Sequence, residues 1–189
     1  MKGFKPKEII VPTVSLFLIS AVVTLLLAVT NSVTAPKIAQ LQIETENKTK
    51  AAVLSSAEIF SEAQTVTVDG KETTYYEGFK GDEKAGYVFV TTEKGYGGDI
   101  TVMVGVNADG TVSGIDFLSI SETAGLGMNA DTDKFKNQFS GLSKDIAVVK
   151  TAPEGNQIQA LTGATITSRA VTAAVNDALN AYGEVENNG

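Results

Sequence analysis

The 189 residues contain neither cysteine nor histidine. That excludes disulfides, thiolate–zinc centres, haem held by histidine, and nucleophiles built on a cysteine or a Ser–His pair. Arginine is almost missing as well, with Arg169 the single example, and Lys+Arg 15 against Asp+Glu 22 leaves a formal charge of −7. A chain this acidic is a poor partner for nucleic acid, whose phosphates call for a basic patch. With 43% hydrophobic residues it is no disordered tail, and its length suits one modest domain plus an anchor rather than two full domains.

What the sequence does have is one long run without charge. Ile9 to Val29 spans 21 residues, and at ~1.5 Å per residue it reaches ~31 Å, the thickness of a bilayer's hydrocarbon core. Pro12 lies in its first turn, where a missing N–H costs little. Lys2, Lys5 and Lys7 precede the run, and Lys37 is the sole lysine between Asn31 and Thr45. The positive-inside rule therefore puts the N-terminus in the cytoplasm and the bulk of the chain outside. A cleaved signal peptide is the competing reading. The run exceeds a typical h-region of ~7–15 residues, and the nearest small-residue site, Val33-Thr34-Ala35, is followed by Pro36. Setting aside the three lysines and Glu8 of the arm leaves 12 basic and 21 acidic residues. Such an ectodomain is repelled by anionic lipid and projects from the surface.

Beyond the run, Ala35 to Phe60 reads as one or two stalk helices, with apolar positions at Ile38, Leu41, Ile43, Val53 and Leu54 around a polar middle. From Gln64 the period changes to two. Thr65–Val68 meets the turn pair Asp69-Gly70, and Thr73–Phe79, Gly86–Thr91, Ile100–Val106 and Val112–Ile120 follow as strands. Sequential hairpin-linked strands imply a largely antiparallel sheet. Ser121–Ala130 reads as a loop, Asp133–Phe139 as a short helix and Ile146–Val149 as a short strand. Thr167–Tyr182 reads as an amphipathic helix with its apolar stripe from Ala170 to Tyr182, stopped by Gly183. The class is α+β. The expected division is a cytoplasmic arm over 1–8, a transmembrane helix over 9–29, a helical stalk over 30–62, an extracytoplasmic domain over 63–183 and a disordered tail over 184–189.

The stretch richest in chemistry is Leu161-Thr162-Gly163-Ala164-Thr165-Ile166-Thr167-Ser168, with hydroxyls and a glycine directly before a helix. Local physics favours a plain N-cap. The alternative is a phosphate seat, because the free N–H groups and dipole of a helix start favour an anion, and Gly163 lets backbone approach closely. Arg169 near that start reads either as a phosphate partner or as a solvated surface residue.

Three segments in order carry a resemblance. Thr162-Gly163-Ala164-Thr165 resembles the [Ser/Thr]-Gly-Ala-Thr signature of covalently flavinylated proteins. Gly95-Tyr96-Gly97-Gly98 before Ile100–Val106 resembles that family's glycine-rich approach to a central strand. Glu122-Thr123-Ala124-Gly125-Leu126-Gly127 resembles its Glu-Thr-Pro-Gly-Leu-Gly loop, with Ala124 in place of Pro. Together with the lysine-bearing arm and single span, the chain is similar to the G subunits of Rnf-type ion-translocating electron-transport complexes. The C subunits of sodium-pumping NADH:quinone reductases are a related and typically longer group.

The resemblance implies an FMN-binding domain with FMN joined through its phosphate to the hydroxyl of Thr165. Thr162, Gly163, Ala164, Thr167 and Ser168 are then neighbours of the attachment point. Glu122, Thr123, Gly125, Leu126 and Gly127 form a loop at the flavin, where the two glycines let backbone approach the ring and Leu126 and Met128 give apolar contact. A chain without histidine or cysteine has few other anchors for a covalent flavin. One departure stands out, since the family's Asp six residues before the acceptor is here Gln159. Thr165 has no adjacent base to activate it, so a separate flavin transferase, using FAD and a metal ion, is implied. The implied role is an electron-carrier subunit among other membrane subunits. It has no catalytic site or metal of its own and no intramembrane ionisable residue with which to form the ion path. Two other readings remain. One is a stand-alone membrane-anchored FMN domain of an extracytoplasmic reductase. The other is a pilin-like structural subunit, suggested by Gly3-Phe4 followed by Glu8 before an apolar helix.

Overall fold

The computed structural model describes residues 6–188. Most of the N-terminal arm, including Lys2, Lys5 and the Gly3-Phe4 pair, lies outside the described residues. The chain divides into two compact units, one up to Glu44 and one from Thr45 onward.

The first unit is the main part of helix α1, Pro6–Val53. Among the described residues it is the one helix long and apolar enough to cross a membrane. Its apolar side chains have no protein core to enter, and Leu16, Phe17, Leu25 and Leu26 are all exposed. A helix apolar on every side belongs in lipid. Several hydroxyls within and just after the run donate to carbonyls one turn back, a partner that remains available in lipid. Thr13 donates to Ile9 at 2.8 Å, Thr30 to Leu26 at 2.9 Å and Ser32 to Ala28 at 2.9 Å. The helix continues through Pro36, which leaves the Ser32 carbonyl without its usual helical donor.

The second unit differs from the expected stalk-plus-domain division. Residues from Thr45 belong to it, so the stalk expected over 30–62 is divided: α1 ends at Val53, a turn follows, and Ile59–Phe60 is already a strand, β1. The other main-sheet strands are β2 (Gln64–Val68), β3 (Lys71–Lys80), β4 (Glu83–Lys94), β5 (Asp99–Asn107) and β6 (Val112–Ser119). All pairs are antiparallel, in the order β1-β3-β4-β5-β6, with β2 and β1 lying along the same edge of β3. The Asp69-Gly70 hairpin forms as read, with Val68 opposite Lys71 and positive φ at both turn residues (50° and 80°). That is the turn whose twist suits flanking strands.

Both faces of the sheet are covered, which explains the unbroken apolar runs in β4 and β5. Tyr87, Phe89, Val102, Val104 and Val106 face α3 (Thr165–Asn188) through Val171, Ala174, Val175, Ala178 and Leu179. Val88, Met103 and Tyr76 face Val53 and Leu54 at the end of α1. Gly105 allows that approach, since a Cβ there would lie 2.1 Å from the Val53 carbonyl oxygen. Two short 3-10 turns (Gly127–Asp131 and Asn137–Phe139) flank α2 (Asp133–Lys136), where Phe135 and Phe139 stack edge to face at 5.6 Å. A small parallel pair completes the unit, β7 (Ala147–Val149) and β8 (Gln157–Gln159). β8 is not among the strands expected from the sequence.

Helix α3 overruns the expected boundaries at both ends. It begins at Thr165, not Thr167, and passes Gly183 to reach Asn188, so the described residues 184–188 of the tail expected to be disordered are helical. Its last turns have partners: Glu186 accepts the Tyr87 hydroxyl at 2.6 Å, and Val185 packs on the core.

Candidate functional site: the start of α3

The turn before α3 is built by one serine. Ser168 is fully buried, and its Oγ accepts the Leu161 N–H at 2.9 Å while donating to the Ala164 carbonyl at 3.0 Å. The Ala164 N–H closes the turn on Leu161 at 3.1 Å, with Gly163 at φ 77°, a value suited to glycine. The cap therefore comes from inside the helix, and Thr165 is the first helical residue. Its hydroxyl makes no hydrogen bond among the described residues. The N–H groups of Thr165, Ile166 and Thr167 likewise have no acceptor among them, whereas that of Ser168 bonds Ala164 at 3.0 Å. Three free N–H groups at the head of a 24-residue helix make a seat for an anion.

These groups open onto a cleft of about 450 Å³, lined by Gly163 to Thr167 of the helix start, by Glu122, Thr123, Leu126 and Gly127 of the loop after β6, and by Tyr96. The volume falls in the range that small-molecule sites occupy, ~300–1,000 Å³. From Thr45 onward the exposed large apolar side chains among the described residues are Ile59, Tyr96, Leu126 and Ile166. The last three line this cleft, so the exposed apolar surface of the unit is concentrated where a ligand would cover it.

Glu122 holds the walls together. One carboxylate oxygen accepts the backbone N–H groups of Tyr96 at 2.7 Å and Gly97 at 3.1 Å, and the other accepts the Thr167 hydroxyl at 3.1 Å. It is a brace between the β4–β5 hairpin and α3, not a surface charge. Gly127 is buried beside it, and a Cβ there would come within 2.6 Å of the Glu122 carboxylate and 2.8 Å of the Thr167 hydroxyl. Its small size makes room for the brace.

The structure thus brings together Gly163, Ala164, Thr165, Thr167, Glu122, Thr123, Leu126 and Gly127. It leaves Thr162, Ser168 and Gly125 off the cleft wall. Thr162 turns to a neighbouring cleft with Gln138 and Gln159, and Ser168 is spent on the cap. Gly125 shapes the loop at φ 76°, its carbonyl accepting from Asn129 at 3.0 Å. Met128 and Arg169 do not line the cleft either. Gln159 is engaged structurally, its amide donating to the Lys150 carbonyl at 3.3 Å and its N–H to Gln138 at 2.8 Å. Tyr96 and Ile166 are wall residues that sequence reasoning does not assign to the site, although Tyr96 belongs to the glycine-rich segment Gly95–Gly98. The one signal at Tyr96 is an aromatic side chain isolated among three glycines.

A profile of the FMN-binding domain family matches residues 95–180, which include both the Tyr96 loop and the start of α3. The G subunit of the Na+-translocating ferredoxin:NAD+ oxidoreductase complex of Acetobacterium woodii is 38% identical over 88% of this chain and 88% of its own length. The G subunit of the proton-translocating complex of Clostridium ljungdahlii is 38% identical over 82% and 81%. The G subunit of an ion-translocating oxidoreductase complex of Methanosarcina acetivorans is 32% identical over 92% and 94%. The chain belongs to this family of G subunits. The fold is also that of the C subunit of the Na+-translocating NADH-quinone reductase of Parabacteroides distasonis. The TM-score is 0.59 at 22% identity, over 76% of this chain and 92% of that one. For the counterpart from Shewanella oneidensis the TM-score is 0.51 at 18% identity, over 62% and 63%. The antiparallel FMN-binding domain expected from the resemblance to the G subunits is the fold observed.

Proposed function

We propose that the chain is the electron-carrier subunit of a membrane-bound, ion-translocating ferredoxin:NAD oxidoreductase of Rnf type, working through FMN joined by a phosphoester to Thr165. The observation that carries this is the Thr165 hydroxyl. It is unpaired among the described residues, it leads a helix whose first N–H groups are free, and it opens into a cleft with exposed apolar walls in a chain of the G-subunit family.

The residues fit such a group. Thr165 would anchor the phosphate, the N–H groups of Thr165, Ile166 and Thr167 would take its charge, and Leu126, Ile166 and Tyr96 would border the ring. When bound, FMN supplies the redox chemistry, and the protein supplies position and electrostatics. The tether keeps the group on the protein on the far side of a membrane, where a dissociable one would be lost by dilution.

Attachment needs a separate transferase, because among the described residues no base is hydrogen-bonded to the Thr165 hydroxyl to activate its oxygen. The Thr165 oxygen bonds to the FMN phosphorus of FAD, the pyrophosphate bond breaks, AMP leaves and the hydroxyl proton passes to a base of the transferase. The Ile9–Val29 segment spans the membrane once, with the N-terminus cytoplasmic and the FMN domain outside, where it meets the other subunits of the complex.

The test is the intact mass of the chain made with a flavin transferase, followed by peptide mapping. The reading expects the mass of FMN less one water on the peptide carrying Thr165, and none in Thr165→Ala. An unmodified wild-type chain, or covalent flavin retained by Thr165→Ala, overturns it.

A further inference from the structure

We propose that Tyr96 is a preformed aromatic wall on which the flavin ring stacks, held in place by the Glu122 brace. The proposal rests on the FMN reading above and adds a positioning residue to it.

At the hairpin tip between β4 and β5, the N–H groups of Gly95, Tyr96 and Gly97 are all fixed. Gly95 donates to the Gly98 carbonyl at 2.8 Å, and Tyr96 and Gly97 donate to Glu122 at 2.7 and 3.1 Å. The flanking residues must be glycine. A Cβ on Gly95 would lie 2.2 Å from the Glu122 carboxylate, and one on Gly97 would lie 2.3 Å from the Ser121 carbonyl. A loop this closely tied does not wander. Yet the side chain it presents is 73% exposed. Among the described residues the ring of Tyr96 stacks on no other ring and its hydroxyl makes no hydrogen bond. The remaining tyrosines are all half-buried or buried. Fixing a backbone costs conformational entropy, and here the fold gains no packing from the ring it fixes.

The same carboxylate also holds Thr167, two residues after Thr165. Glu122 thus sets the spacing between the attachment point and the ring of Tyr96, and both line one cleft. A flat aromatic group tethered at Thr165 meets in that cleft an unoccupied aromatic face of the kind that favours offset stacking. A phenol in contact with a photoexcited flavin gives it an electron and takes it back, so emission is quenched with no net reaction. Fluorescence per bound flavin therefore reads the contact.

The experiment uses the full chain, flavinylated by a coexpressed transferase and purified in detergent, with covalent flavin counted by mass and absorbance. Wild type is expected to be weakly emissive. Tyr96→Ala is expected to be several-fold brighter per bound flavin, with its absorption bands moved toward those of free FMN. Tyr96→Phe keeps a stacking ring but loses the electron donor, so it is expected to be bright with wild-type absorption. Tyr96→Trp restores both ring and donor and is expected to be dark. Glu122→Gln, whose amide oxygen still accepts the Tyr96 and Gly97 N–H groups, is expected to stay dark. Covalently loaded Tyr96→Ala and Tyr96→Phe with wild-type emission overturn the role of Tyr96 and leave the FMN reading intact. A wild-type chain that carries no FMN mass overturns both.

Discussion

Thr165 and Ser168 are one turn apart on α3, and their hydroxyls do opposite things. Ser168 is buried and makes two hydrogen bonds that fold the turn, whereas Thr165 makes none among the described residues and faces the cleft. Ser168→Ala should therefore lower stability by about 1–2 kcal/mol, the usual cost of a lost cap that strands a backbone donor, seen as a lower thermal midpoint of the unflavinylated chain. Thr165→Ala removes nothing the fold uses, so the same melt should move by less than about 0.5 kcal/mol while covalent flavin is abolished. Thr165→Ser keeps the hydroxyl and should still accept FMN, read by mass. The four hydroxyls between Thr162 and Ser168 look alike in sequence. Which of them the fold spends, and which free one faces the cleft, could not be read there, because the capping bond to Leu161 comes from a residue seven positions later.

The elements show where a local rule was overridden. Gly183 reads as a helix stop, yet α3 continues five residues beyond it because Glu186 reaches Tyr87 and Val185 reaches the core. Gly183 is then an interior helical glycine with open space around its Cα. Gly183→Ala should stabilise the chain by about 0.5–1 kcal/mol through helix propensity, measured by urea unfolding; no change would mean that the helix frays at 183. Gly105 is the opposite case. Gly105→Ala would drive a methyl group into the Val53 carbonyl and should destabilise by about 1–3 kcal/mol. The end of α1 is also fixed by polar contacts to β3. Tyr76 donates to Glu46 at 2.7 Å, Lys50 pairs with Glu46 at 3.0 Å, and the Lys50 ammonium sits 3.7 Å from the Tyr76 ring centroid. The main-sheet strands were legible in sequence as runs of β-branched and aromatic residues between turn residues, although β4 and β5 are buried on both faces and not at period two. β8 was not, because three residues, Gln157 to Gln159, carry no pattern and pair only through the tertiary fold.

At the scale of the whole molecule, the Tyr76–Glu46 pair makes stability depend on pH, alongside Tyr87 and Tyr182, whose phenols burial also raises. Burial and then the Glu46 carboxylate push the Tyr76 phenol from its ordinary 10.0 up to about 12. Between those values the unfolded chain loses the proton and the folded one keeps it, so stability should fall as pH rises from about 10 to about 12. Burial opposes ionisation of Glu46, but hydrogen bonds from Tyr76 and Lys50 outweigh it and hold the carboxyl below its ordinary 4.5. That contribution is present above 4.5 and is lost as pH falls through the lowered value. Urea midpoints across pH should show both limbs, with the alkaline limb flattened in Tyr76→Phe. The missing cysteines also allow a topology test. A single cysteine introduced at Ser56, exposed in the turn after α1, should react with a membrane-impermeant maleimide in intact cells. Protection until lysis would reverse the proposed orientation.

The sequence by itself determined the long apolar helix, the antiparallel α+β class and the stretch where chemistry could lie. Each follows from short-range physics: an unbroken apolar run, β-branched and aromatic runs between turn residues, and glycines with hydroxyls before a helix. Tertiary structure alone decided how those parts are used. It turned Glu122 from a loop carboxylate into a brace between residues 26 positions earlier and 45 positions later. It assigned Gly127 to that brace, gave Ser168 the cap and left Thr165 free. It also placed Tyr96 on the wall of the same cleft. Those roles depend on which atoms meet across the fold, and contacts between segments so distant in the chain leave no periodic mark in its sequence.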